Sequence, residues 1–79
     1  MNRILHTMLR VGNRERSLHF CTHVLGMRVL RTFERLSEGY TLTFLGYGEE
    51  SETCVLELTH NIGTSEYVQG NAYGHIAMV

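Results

Sequence analysis

Only one stretch of this chain repeats its apolar residues with a helical period. From Arg14 to Leu25, at about 100° per residue, Leu18, Phe20, Cys21, Val24 and Leu25 fall on one side. Glu15, Arg16, His19, Thr22 and His23 fall on the other. The remaining patterned segments alternate or read as extended. One helix covers one face of the sheet that such segments build, so the second face must meet something else. What that face carries decides how the chain is read.

Before the helix, Ile4 to Val11 ("ILHTMLRV") reads as a strand. Leu5, Thr7, Leu9 and Val11 share a standard core face, while Ile4, His6, Met8 and Arg10 share the opposite one. His6 and Arg10 are then about 13 Å apart along one surface. Gly12 breaks the strand, Asn13 suits an N-cap, and Glu15 sits where the helix dipole favours a carboxylate. Gly26 ends the helix as a C′ residue.

Strands are predicted over Met27–Glu34, Tyr40–Tyr47 and Thr53–His60, with "LSEG" as a turn and "GEESE" as a polar hairpin loop. In the last of these, Cys54, Leu56, Leu58 and His60 share one face. Thr53, Val55, Glu57 and Thr59 take the other, and Asn61 continues that parity. A connector follows, with one helical turn expected around Ser65–Val68, and "YGHIAMV" (Tyr73–Val79) reads as one more strand. The order is β-α-β-β-β, a linker and a further strand: an α+β chain. The face away from the helix collects His6, Arg10, Glu57 and Asn61.

At 79 residues the chain makes at most one small domain. No apolar run approaches the roughly 18 residues of a membrane span, and the N-terminus lacks the apolar core of a signal peptide. The two cysteines, Cys21 and Cys54, fit no zinc or redox spacing, and both are expected as reduced, buried thiols in a cytoplasmic protein. Charge is uneven. All seven Arg lie within residues 1–36 and six of the eight Glu lie beyond them. No Lys/Arg run or aromatic stacking motif accompanies the Arg residues, so nucleic acid is not the expected partner.

The two ends of the chain echo one another. "LHTMLRV" (Leu5–Val11) and "GHIAMV" (Gly74–Val79) each place His near the start of a mostly apolar run ending in Val. The second copy stands where a second β-α-β-β-β unit would begin. The expected division is residues 1–62 as a first module, 63–72 as a linker, and 73–79 as the first strand of an incomplete second module.

The segments "LHTMLRVG", "VLGMRVLRT", "TLTFLGYG", "VLELTHN" and "YGHIAMV" together resemble, in order, the first half of glyoxalase I (lactoylglutathione lyase) in the vicinal oxygen chelate superfamily. The resemblance implies a βαβββ module of that fold, whose cupped sheets surround one divalent metal. It implies His6, Glu57 and His75 as metal ligands, with a fourth, carboxylate ligand beyond Val79. It gives Glu57 a catalytic role, and Arg10 and Asn61 contact with the glutathione part of the substrate.

The reaction implied is isomerisation of the glutathione–methylglyoxal hemithioacetal to S-lactoylglutathione, through an enediolate that the metal stabilises. Ni²⁺ or Co²⁺ is favoured, with Zn²⁺ also suited to His and carboxylate. A homodimer with sites at the interface is implied as well. Because the chain ends within a predicted strand, it is expected to be truncated and, alone, to lack the second-module glutamate.

Two other readings stand beside this one. The fold also serves non-catalytic binding modules, and a dimer could assemble a half-site from His6 and Glu57 of each chain. His19 and His23 have the i, i+4 spacing of a helical zinc site, but no Glu follows the first His and the pair lies on the polar face. They are expected to be solvated.

Overall fold

The computed structural model describes residues 2–79. Strand β1 (His6–Arg10) leads into helix α1 (Arg14–His19), which continues as a π-helical turn over Phe20–Val24. Strands β2 (Arg28–Arg35), β3 (Tyr40–Gly46) and β4 (Val55–Asn61) follow, with a 3-10 turn at Leu36–Glu38. The strands form one sheet in the order β1-β4-β3-β2. β1 runs parallel to β4, and the other pairs are antiparallel. This is the expected βαβββ module. The parallel pair forces a crossover after β1, and the helix and the two intervening strands supply it.

The helix starts as its sequence predicts. The Asn13 side chain accepts a hydrogen bond from the Arg16 N–H at 3.0 Å, satisfying a donor that the first turn leaves open. Its second half departs from a plain α-helix. The Thr22 hydroxyl donates to the Leu18 carbonyl at 2.8 Å, and the Leu25 N–H reaches back five residues to Phe20. Such back-bonding competes with the regular ladder, and a π turn carries one extra residue. Gly26 then reverses the chain with φ +74°, a conformation that disfavours any side chain.

Register fixes the two sheet faces. Leu45 pairs with Leu56 and Thr43 with Leu58, so these look toward the helix. There Cys21, Met27, Leu45 and Leu58 form the buried core, flanked by Leu9, Val11, Leu18, Leu25 and Leu56. The expected packing of Leu18, Cys21 and Leu25 against the sheet is therefore formed. Phe20 and Val24, expected on the same stripe, are 51% and 65% exposed. The π turn spreads the apolar stripe around the helix, giving Cys21 the central position and swinging its two neighbours aside.

Two further expectations are corrected. Cys54 is exposed rather than buried, because it precedes the first paired residue of β4 and the sheet does not hold it under the helix. Residues 65–68 make no helical turn. Residues 73–79 pair with neither edge of this sheet, β1 or β2. An extended segment without a neighbouring ladder has nowhere to place its backbone bonds except water. Instead it lies over the helix-side face, lining a half-open cleft of about 1300 Å³ with Leu9, Leu45, Leu56 and Phe20.

Candidate metal and substrate site

The open face of the sheet is built by alternation from β1 and β4. Met8 pairs with Glu57 and Phe44 lies opposite Glu57 on its other side. His6, two residues earlier on β1, points the same way. His6 Nε2 lies 3.0 Å from Glu57 Oε1, with the carboxylate side chain 13% exposed and the imidazole 42%. A carboxylate this enclosed, on a strand flanked by Leu56 and Leu58, is costly without a partner. The imidazole provides one.

The spacing also suits a metal. Two donors each about 2.1 Å from one ion and at a right angle are about 3.0 Å apart. The donor set, one imidazole nitrogen and one carboxylate oxygen, matches borderline divalent ions. Two ligands do not make a site, however. Among the described residues no group of three or more His, Cys, Asp or Glu converges.

His75 is the expected ligand that the structure does not bring to the pair. It is exposed and lines the cleft on the helix-bearing side, across the sheet from His6 and Glu57. Arg10 and Asn61 do share the open face. Arg10 is exposed, forms no ion pair among the described residues, and borders a hollow of about 460 Å³ with Met8, Tyr67, Val68 and Tyr73. The Asn61 amide Nδ2 donates to the Tyr67 hydroxyl at 3.1 Å, tying the connector to the end of β4.

Arg31 and Phe44 were not singled out from the sequence, yet they crowd the pair. A bulge in β2 explains why. Arg28 and Val29 pair in one register with β3, and Arg31 onward in another, leaving Leu30 as the extra residue. Without it Arg31 would face the helix side; with it Arg31 stands on the open face. Its Nε and Nη2 donate to the two Glu50 carboxylate oxygens at 2.7 and 2.9 Å. Those bonds push the Arg31 guanidinium further up from its already high value. A second arginine, Arg28, pairs with Glu49 at 2.9 Å, and Arg3 donates to the Glu50 and Thr53 carbonyls. The uneven charge along the chain is thus partly internal pairing, with basic side chains from its front half gripping the acidic β3–β4 loop.

The His19 and His23 rings stack nearly parallel, with centroids 4.4 Å apart, on exposed helix positions. This is the solvated arrangement expected of them.

The sequence profile of the Glyoxalase/Bleomycin resistance protein/Dioxygenase superfamily matches residues 3–79. A probable lactoylglutathione lyase of Vibrio cholerae is 57% identical over 77 residues, covering 98% of this chain and 56% of that protein. The lactoylglutathione lyase of Salmonella typhimurium is 58% identical over 76 residues, covering 96% and 56%. Among solved structures, the trypanothione-dependent glyoxalase I of Leishmania major superposes with a TM-score of 0.94 at 52% identity, covering 99% of this chain and 56% of that one. Glyoxalase I of Zea mays gives 0.89 at 40% identity, over 92% and 26%. The chain spans about half the length of the curated relatives it matches.

Proposed function

The chain belongs to the glyoxalase, bleomycin resistance protein and dioxygenase superfamily, and from that premise we propose that it contributes to a metal-dependent lactoylglutathione lyase site. The observation that carries this reading is the His6–Glu57 pair: two donor atoms 3.0 Å apart, off the core face, with Arg10 further along the same face. His6 and Glu57 are the ligands of a divalent ion, Ni²⁺ or Co²⁺ before Zn²⁺. Such an ion supplies a Lewis acid that offsets negative charge developing on a substrate oxygen. In this reading Glu57 also exchanges a proton with a hemithioacetal carbon on the open face. Arg10 offers a two-pronged donor to a glutathione carboxylate, and the Asn61 amide offers a second contact at the end of β4.

His75 reaches such a site from a second chain. Its place across the sheet from His6 and Glu57 supports a homodimer in which each site takes His6 and Glu57 from one subunit and His75 from the other. The half-site alternative, two copies each giving His6 and Glu57 to one axis, needs no contribution from His75.

The test is titration of the purified chain with Ni²⁺ and Co²⁺ by calorimetry, native mass measurement, and assay of S-lactoylglutathione formation. His6→Ala and Glu57→Gln should each abolish specific uptake, whereas His75→Ala should reduce it only if the subunits exchange this residue. Uptake that survives both of the first two substitutions overturns the ligand assignment. Ligand binding with neither metal nor turnover would support a binding module instead.

A further inference from the structure

We propose that Arg31 is a positioning residue for the His6–Glu57 pair, acting through the ring of Phe44. The proposal rests on reading that pair as metal ligands, but its geometry stands on other residues.

The Phe44 ring is 5% exposed and occupies the ground between Arg31 and His6. The Arg31 guanidinium carbon lies 3.9 Å from the ring centroid, at cation–π distance. The His6 imidazole meets the same ring edge-to-face, with centroids 5.5 Å apart and planes at 87°. Phe33 closes a third side, again edge-to-face, at 6.3 Å and 87°. Phe44 is therefore caged, and each wall limits its rotation. The His6 ring, held by Phe44 on one side and Glu57 on another, keeps Nε2 turned to the carboxylate.

The Arg31 wall is itself held. Both Glu50 oxygens take a hydrogen bond from it, so the guanidinium plane is fixed over the ring. The same engagement makes Arg31 a poor substrate clamp, since its fork is already occupied. A chain of contacts thus runs Glu50–Arg31–Phe44–His6–Glu57, from the β3–β4 loop to the candidate ligands. The β2 bulge is what makes it possible, because it turns Arg31 onto the open face. Outer residues that orient metal ligands typically change metal affinity about ten- to hundred-fold when removed.

The test uses the whole chain and three variants: Arg31→Met, which keeps a long stem without the charge or fork; Arg31→Lys, which keeps the charge without the fork; and Phe44→Leu, which removes the ring. Proton NMR reads the Phe44–His6 contact through the nuclear Overhauser effect and the ring-current shift of the His6 protons. Calorimetry reads Ni²⁺ affinity, and thermal melting serves as the control.

Arg31→Met should lose the ring-current shift and weaken Ni²⁺ binding by about ten- to hundred-fold, while melting within a few degrees of the parent. Arg31→Lys should fall between, and Phe44→Leu should lose the shift altogether. Retention of the contact and of affinity in Arg31→Met overturns the proposal. So does a loss of affinity that merely tracks the melting temperature across the variants. If the parent chain takes up no Ni²⁺, the metal reading has failed, and the His6 ring-current shift alone decides whether Arg31 positions the imidazole.

Discussion

A methyl group at Gly12 should loosen the connector that leads toward His75. Gly12 sits between β1 and α1, and a Cβ there would overlap the Ser65 carbonyl oxygen and lie 2.7 Å from its carbon. Carbon atoms in contact prefer roughly 3.5 Å or more, so the carbon contact alone requires a shift of about 0.8 Å, and the overlapping oxygen requires more. Both partners are main chain and neither can rotate away. Two effects oppose each other in Gly12→Ala. Gly12 does not have a positive φ, so alanine gains roughly 0.4–1 kcal/mol by restricting the unfolded chain. Forced overpacking costs roughly 1–3 kcal/mol. An overlap this severe, on main-chain atoms, puts the cost at the upper end of that range, so the second effect wins with a net loss of roughly 2–2.6 kcal/mol. For a domain of this size that lowers Tm by about 4–8 °C per kcal/mol. Circular dichroism melts measure the loss, and NMR follows the Asn61–Tyr67 contact that ties down the same connector. A Tm equal to or above that of the parent, with this contact intact, would falsify the reasoning.

The two cysteines should react at very different rates. Cys54 is exposed and should be alkylated by iodoacetamide under native conditions, whereas Cys21 should react only on unfolding. Burial pushes the Cys21 thiol above its usual range, so the folded state holds the proton more tightly than the unfolded one. That contribution is complete below the unfolded thiol pKa of about 8.5 and is lost as pH rises through the folded value. The urea midpoint should therefore fall on the alkaline side, and Cys21→Ala should flatten that fall. The Tyr47 hydroxyl donates to the Leu25 carbonyl at 2.6 Å, at the open end of the helix. Tyr47→Phe should cost about 0.5–1.5 kcal/mol in a denaturant titration, and no change in midpoint would remove this bond from the account.

Much of the fold was legible because alternation and helical period are local properties. The parities assigned to β1 and β4 hold, and they place His6, Glu57, Arg10 and Asn61 on one face. What escaped depended on irregularity. The extra residue in β2 leaves no mark in a run such as "RVLRT", where apolar and basic residues both tolerate either face, so Arg31 could not be assigned a side. The π turn, too, is set by a hydroxyl choosing one carbonyl, and it moved Phe20 and Val24 off the core. Strand pairing is non-local. Tyr73–Val79 has the composition of a strand, but a strand exists only against a neighbour, and no free edge of this sheet takes it.

The sheet separates stability from chemistry, and that separation can be measured. On its helix side Leu45 is fully buried between Cys21, Met27 and Leu58. Leu45→Ala should cost roughly 2–5 kcal/mol, a large share of the roughly 4–12 kcal/mol that a domain of this length has in total. On the open side, Glu57→Gln conserves volume and leaves an amide oxygen that can accept from His6 Nε2. Its cost to folding should be at most about 1 kcal/mol, while metal uptake is lost. Thr43 and Phe44, adjacent on β3, face opposite sides, so the backbone insulates one set from the other. The two substitutions should then add to within about 0.5 kcal/mol in the double variant. A larger coupling would mean that the open-face pair is held in place by the core beneath it, and that His6 and Glu57 are structural residues before they are ligands.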